Sequence, residues 1–216
     1  MISQYEHYAT ARLERKFGEM SSWVLVYPYL IGKRVLDVGC SDGLYLRQFA
    51  AGSVGIEQIP VLAGAARACG FEVINADVMT GMAQIYVNEF EGVLFSHVME
   101  HLACPIAALR EISRVLRKGG TLVLGLPIER NIYRDLLRMD YFDGTHIYAF
   151  SIRNASKLLN EAGFRVVKVL YHLPKCRSRI GRVLEILWNR INWPFREYLS
   201  MAYWIVAEKC NAEDAG

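Results

Sequence analysis

The chain has 216 residues, 53% of them hydrophobic and 22% charged, and its 25 Lys and Arg exceed its 22 Asp and Glu by three. That length and composition exclude disorder and fibrous repeats, and fit one domain whose core leaves room for a cleft. A charge excess this small argues for neither a polyanionic partner nor a membrane through long-range attraction.

The first 20 residues, MISQYEHYATARLERKFGEM, are polar and helix-like and lack the apolar stretch of a secretory signal. The most apolar windows, residues 23–31 and 198–207, run about ten residues, short of the roughly 20 that span a bilayer. Short β-branched runs at 34–38, 53–57, 72–75, 92–96 and 121–125 then alternate with helical patterns at 44–50, 61–69 and 106–116. This is the rhythm of β-α-β units, so we expect an α/β fold with a parallel sheet covered by helices on both faces. The third helix is the clearest: Ile106, Leu109, Ile112, Val115 and Leu116 share one face, and Lys118-Gly119-Gly120 supplies a basic last turn and a glycine stop. Beyond residue 126 come a tyrosine-rich stretch led by Pro127, a helix near 154–162, and two strands, FRVVKVLYHL and MAYWIVAEK, that read as an antiparallel pair at one sheet edge. Residues 174–200, between those strands, form an insertion of different patterning. The five cysteines, Cys40, Cys69, Cys104, Cys176 and Cys210, are widely spaced with no C-x-x-C pair, as expected of free thiols in the cytoplasm.

The run Val35-Leu36-Asp37-Val38-Gly39-Cys40-Ser41-Asp42-Gly43 places a carboxylate at the end of the first strand and then a tight glycine turn. In an open α/β sheet the ligand crevice lies beyond the carboxyl ends of the strands, where this turn would sit. A dinucleotide fingerprint needs glycines at the positions held here by Gly39, Ser41 and Leu44, and only the first is present, which argues against a nucleotide-dependent reductase. Asp37 would repel a pyrophosphate and favour an ammonium group. The chemistry points to a zwitterionic ligand, and the aminoacyl end of S-adenosylmethionine fits.

The strings VLDVGCSDG, GIEQ, NADV and LFSHVMEHLACPIAALREISRVLRKGGTLVLGLP, in that order, resemble consecutive motifs of the class I S-adenosylmethionine-dependent methyltransferases, and among them the small-molecule and quinone-type group. The resemblance covers roughly residues 30–170. It implies a Rossmann-like sheet of seven strands, mostly parallel, with an antiparallel C-terminal hairpin, in a single domain spanning 1–216. It also implies that residues 1–30 form a helical cap folding over the cofactor and excluding water, with Tyr5 or Tyr8 reaching it.

Carried over by position, the resemblance implies that Asp37, Gly39, Cys40, Ser41 and Gly43 shape the methionine end of the cofactor site. Ser41 stands where a glycine is commoner; its hydroxyl could bond the cofactor or cap a helix. Glu57, beside Gln58, would accept both ribose hydroxyls, or be a solvated strand-end acid. Asp77 would accept from the adenine amino group with Val78 on the ring, or cap a loop. Ser96 and His97 follow the fourth strand and would touch the cofactor.

His97-x-x-Glu100-His101 matches a zinc-protease string that needs its histidines on one helix face, but here it leaves a buried strand, which argues against proteolysis. Nothing in the sequence requires a metal. Methyl transfer from a sulfonium is an in-line displacement whose leaving group needs no acid, so a base matters chiefly for a hydroxyl acceptor. His146, in GTHIYAFS, is the favoured candidate and His101 the second, each with a structural role as its alternative. Glu100 would face the substrate or cap the next helix, and Tyr133, Tyr141 and Tyr148 would line the pocket or pack.

No proline-aromatic motif of nucleobase methylation follows the fourth strand, so a nucleic-acid partner is not expected. The basic cluster lies in the insertion, where Lys175, Arg177, Arg179, Arg182, Arg190 and Arg196 outnumber Glu185 and Glu197, and Ile180, Val183, Leu184, Leu187, Trp188 and Ile191 fall at helical spacing. Such a helix packs its apolar face on the domain or on a second copy in a homodimer, or lies on an anionic membrane or an acidic partner. The expected activity is methyl transfer to a small-molecule or lipid-linked acceptor, at a hydroxyl oxygen. The rival is a non-catalytic S-adenosylmethionine-binding domain that acts through a partner.

Overall fold

The computed structural model describes residues 2–14, 22–139, 145–173, 179–191 and 195–210. Seven strands form one sheet in the order β3-β2-β1-β4-β5-β7-β6. They are β1 (Val35–Val38), β2 (Val54–Glu57), β3 (Glu72–Asn75), β4 (Phe90–Ser96), β5 (Leu116–Pro127), β6 (Phe164–His172) and β7 (Ala202–Lys209). β1 to β5 pair in parallel, and β7 inserts antiparallel between β5 and β6, as the two C-terminal patterns predict. β1 and β4 are neighbours although β2 and β3 intervene in sequence, so the chain reverses its direction of winding there. In open α/β sheets the ligand crevice lies beyond the carboxyl ends of the strands at such a reversal.

The helices are α1 (Ile2–Leu13), α2 (Trp23–Val26), α3 (Pro60–Ala68), α4 (Val78–Met82), α5 (Pro105–Val115), α6 (Ile132–Leu137), α7 (Ile152–Glu161) and α8 (Arg179–Trp188). α5 buries Ala108, Leu109, Ile112 and Val115 along one stripe against the larger hydrophobic cluster, which also holds Leu36, Val38, Phe95, Leu122, Leu124 and Ile205 from the sheet. A second cluster gathers Trp23, Val26 and Leu30 with Val35, Leu94, Val123 and Trp204. The two clusters give the Rossmann-like layering its core.

Three local expectations are corrected. The helical pattern at 44–50 yields only one 3-10 turn, Leu46–Gln48, because Ser41 and Gly43 take left-handed backbone and the segment is spent on the turn. α5 ends at Val115, since Leu116 turns extended and pairs with Phe90; Lys118-Gly119-Gly120 is an irregularity inside β5, with Gly119 at φ +67°. Of its apolar face the insertion helix α8 lays Trp188 against the main hydrophobic cluster and leaves most of the rest outward. Glu185, fully buried, accepts from Leu173 N at 2.9 Å and bonds His172 Nδ1 at 2.6 Å, while Asn189 bonds both N and O of Tyr171. Ile180, Val183, Leu184, Leu187 and Ile191 are exposed instead, Ile180 to 74%. Among the described residues no helix is long and apolar enough to cross a membrane.

Candidate functional site

β1 is buried at every position, and its Asp37 is 3% exposed with Oδ2 lacking any hydrogen-bond partner. Burial first, then the nearby charge of Glu57, pushes the Asp37 carboxyl up to about 8, against the pull of Arg12. The chain then turns through Gly39 at φ +79°, Ser41 at +54° and Gly43 at +76°. A Cβ on Gly39 would lie 2.5 Å from Val98 Cγ2, and one on Gly43 would lie 2.8 Å from Phe71 Cδ2, so both positions demand glycine. The turn is tied to β2 by Gly39 N and Cys40 N, which both donate to Ile56 O, and by Ser41 N, which donates to Glu57 Oε2 at 2.9 Å.

Cys40 turns its thiol away from the turn's open side. Its thiol packs in the core against Gly55 and Leu46, where burial pushes it up, and its amide donates to Ile56 O. Ser41 caps no helix; its Oγ lies 3.5 Å from the Tyr8 hydroxyl. Arg12, also on α1, holds Asp42 with Nε and Nη2 each 2.9 Å from Oδ1. α1 thus lies over the glycine turn, as a cap would. The side chain of Tyr5 lies outside the described residues.

Glu57, 6% exposed at the end of β2, also accepts from Ile59 N at 2.8 Å. Burial raises its carboxyl, and backbone donors from Ile59, Ser41 and Gln58 oppose the rise. Each oxygen keeps a further lone pair for a hydroxyl donor. Gln58 is exposed beside it. Asp77 is the N-cap of α4, its Oδ1 accepting from Met79 N and Thr80 N; bonds to Thr80 and this backbone hold its carboxyl below the usual range. Val78 opens the helix, half-buried.

Across the crevice, Ser96 ends β4 half-buried, and His97 follows at φ +52° with its ring edge-on to Trp204 at 6.2 Å. Met99–His101 is one 3-10 turn, so His97 and His101 do not share a helix face. Glu100 is fully buried and neither carboxylate oxygen makes a hydrogen bond; His97 Nδ1 approaches Oε1 only to 3.4 Å. Its backbone oxygen accepts from Ile147 N and Tyr148 N, which draws the His146 segment onto this turn. His101 Nδ1 bonds Thr145 O at 3.0 Å, and the His101 and His146 rings meet edge-on with centroids 4.8 Å apart. His146 Nδ1 bonds the carboxylate of Glu129, which is itself buried.

The two predicted histidines therefore lie side by side. Glu129 was missed; its only signal was its place two residues beyond the end of β5, at the carboxyl end of a strand. Tyr148 is exposed and donates to Ala103 O, Tyr133 is half-buried near the start of α6, and Tyr141 lies outside the described residues.

The methyltransferase-domain family matches residues 5–169 of the chain. The ubiquinone biosynthesis O-methyltransferase of Xanthomonas oryzae pv. oryzae is 34% identical over 103 residues, 44% of this chain and 43% of that protein, so the chain matches less than half of that relative's length. The enzyme of the same description from Burkholderia pseudomallei is 23% identical over 166 residues, 68% of this chain and 71% of that one. A solved S-adenosylmethionine-dependent methyltransferase from Archaeoglobus fulgidus superposes with a TM-score of 0.68 at 21% identity, over 88% of this chain and 92% of its own. From the family match, the ordered motifs and the sheet order, the chain belongs to the methyltransferase-domain family, in its class I, whose methyl donor is S-adenosylmethionine.

Proposed function

We propose that the protein transfers a methyl group to a hydroxyl oxygen of a small-molecule or lipid-linked acceptor. The observation that carries this reading is the His101–His146 pair, packed ring to ring beside buried Glu100 and anchored by Glu129. A hydroxyl must lose its proton as its oxygen attacks, whereas a carboxylate needs no such apparatus. The relatives' description as O-methyltransferases supports the same acceptor atom.

The cofactor supplies an electrophilic methyl group on a sulfonium. The residues present fit it. Asp37 Oδ2, buried without a donor, suits the ligand's ammonium group, and Glu57 suits the ribose hydroxyls. Gly39 and Gly43 let the backbone approach closely, Ser41 adds a hydroxyl there, Asp77 and Val78 flank the adenine end with Gln58 nearby, and Ser96 and His97 close the crevice from β4. Tyr8 and Arg12 hold α1 over the turn, where a cap would shield the sulfonium from water. On the acceptor side Glu129 fixes the tautomer of His146 by taking its Nδ1–H, which leaves Nε2 as the atom that acts toward the hydroxyl.

The test is label transfer from S-adenosylmethionine to a panel of phenols, catechols, aliphatic alcohols, carboxylates and amines. Methylation at a hydroxyl, reduced roughly 100-fold or more in His146→Ala and His101→Ala, is expected. Tight cofactor binding with no turnover on any acceptor would favour the non-catalytic, partner-dependent domain.

The insertion supports a second reading, that α8 rests on an anionic membrane surface from which a lipid-linked acceptor is drawn. Its outward face is apolar, its one acid is turned inward, and Arg179, Arg182 and Arg190 lie on the helix or just beyond it.

A further inference from the structure

We propose that Glu100, His101 and His146 form a binding site for a divalent transition-metal ion of the Zn2+ type, with an open position for the acceptor oxygen. The three side chains offer one ligand atom each, all within 4.8 Å of one another. Two ligand atoms each about 2.1 Å from one ion lie at most about 4.2 Å apart, so the group closes by several tenths of an ångström on binding.

Three observations point to an ion and not to ordinary packing. The first is the state of Glu100: its carboxylate is wholly buried and neither oxygen makes a hydrogen bond, His97 Nδ1 standing off at 3.4 Å from Oε1. An ionised carboxylate in that position is costly unless a cation satisfies it. The second is the tautomer of the histidines. His101 Nδ1 faces a backbone carbonyl, Thr145 O, and His146 Nδ1 faces the carboxylate of Glu129, so both rings carry their proton on Nδ1 and present a bare Nε2. Metal-binding imidazoles are held in this way, by a carboxylate or carbonyl on the far nitrogen. The third is convergence from three parts of the chain. Glu100 and His101 come from the turn after β4, His146 from the segment pinned to Glu100 O, and Glu129 from beyond β5.

The donor set also states which ion. Two imidazoles and one carboxylate suit Zn2+, Co2+ or Fe2+ and disfavour Mg2+ and Ca2+, which take oxygen ligands. Three protein ligands leave a tetrahedral ion one free position. There the ion takes over the task otherwise given to the bare imidazole nitrogens, which now hold it: it lowers the proton affinity of a bound hydroxyl, whose proton passes to solvent while its electron pair stays on oxygen, ready to attack the methyl carbon as the carbon–sulfur bond breaks toward sulfur. This role for the ion rests on the methyl-transfer reading; the metal site itself does not.

The experiment is titration of chelator-treated protein with Co2+, read by visible absorption, and with Zn2+ by competition, Mg2+ serving as the hard-ion comparison. S-adenosylhomocysteine binding is measured calorimetrically on the same samples. One equivalent of Co2+ or Zn2+ per chain is expected, with Mg2+ at least 100-fold weaker. Glu100→Gln, His101→Ala and His146→Ala should each weaken Co2+ binding at least 100-fold while keeping S-adenosylhomocysteine affinity, and Glu129→Gln should weaken it roughly 10- to 100-fold. Glu100→Gln keeps the shape of the buried side chain, and melting curves establish that it folds. Absence of Co2+ and Zn2+ binding in wild type that binds S-adenosylhomocysteine overturns the metal site alone, as does undiminished binding by all three ligand variants. Folded wild type that binds the metal but not S-adenosylhomocysteine overturns the cofactor reading and leaves the metal site standing.

Discussion

The Nδ1–H of His146 is held by the carboxylate of Glu129, a residue just beyond the end of β5, and that one bond orients the imidazole beside His101. Glu129 acts through the imidazole of His146, so it is a positioning residue. Glu129→Gln should lower kcat for methyl transfer roughly 10- to 100-fold with S-adenosylhomocysteine affinity unchanged. Glu129→Asp should recover part of the loss. Equal loss of cofactor binding and activity in Glu129→Gln would mean a general structural role.

Asp37 predicts a proton-linked cofactor site. Its ordinary value is near 3.8 and burial raises it to about 8, so at pH 7 the side chain is mostly protonated in the folded protein. An incoming ammonium group favours the carboxylate, and binding should release close to one proton at pH 7, falling toward none above about pH 9. Calorimetry in buffers of different ionisation enthalpy measures this release, and Asp37→Asn should abolish it. The same shift has a sign for stability. Between pH 4 and 8 the unfolded chain loses this proton while the folded one keeps it, so stability from this group is whole below about pH 4 and is lost as pH rises to 8, on the order of 1 kcal/mol per unit. Denaturant melts of wild type and Asp37→Asn across that window should converge at its acid end.

Gly39 tolerates no side chain. Gly39→Ala places a methyl group within 2.5 Å of Val98 Cγ2 at φ +79°, and should cost roughly 1–3 kcal/mol of stability and at least tenfold in cofactor affinity. Gly64→Ala makes the contrast: it lies in α3 with open space around a Cβ, and should stabilise by roughly 0.5–1 kcal/mol. Urea unfolding of both variants checks the pair.

The outward face of α8 predicts vesicle binding. The protein should co-sediment with vesicles containing anionic phospholipid, less with neutral ones and less at high salt. Val183→Asp with Leu187→Asp should reduce binding at least tenfold and leave the melting temperature nearly unchanged, because both side chains are exposed. Equal sedimentation of wild type and this variant, or of a chain lacking residues 174–200, removes the membrane reading.

Patterns confined to a few neighbouring residues could be read directly. The buried runs of β1, β2 and β4 declare themselves because a strand covered on both faces needs apolar residues at nearly every position. The stripe of α5 is set by helical periodicity, and the VLDVGCSDG turn by glycine's access to left-handed backbone. Apolar spacing in α8 predicted a helix, but periodicity is blind to direction. What turned that stripe outward was the pairing of Glu185 with His172 and of Asn189 with Tyr171, contacts between elements that no local pattern encodes. Leu116 likewise left its helix because Phe90 was there to pair with it. Cys40 sat in the right motif with its thiol facing the core, and Glu129 looked like any charged loop residue. The cluster of Glu100, His101, His146 and Glu129 exists because β4 and β5 run side by side and the carbonyl of Glu100 captures the segment that carries His146. Side chains far apart in the chain acquire joint chemistry only when the sheet order brings their strand ends together.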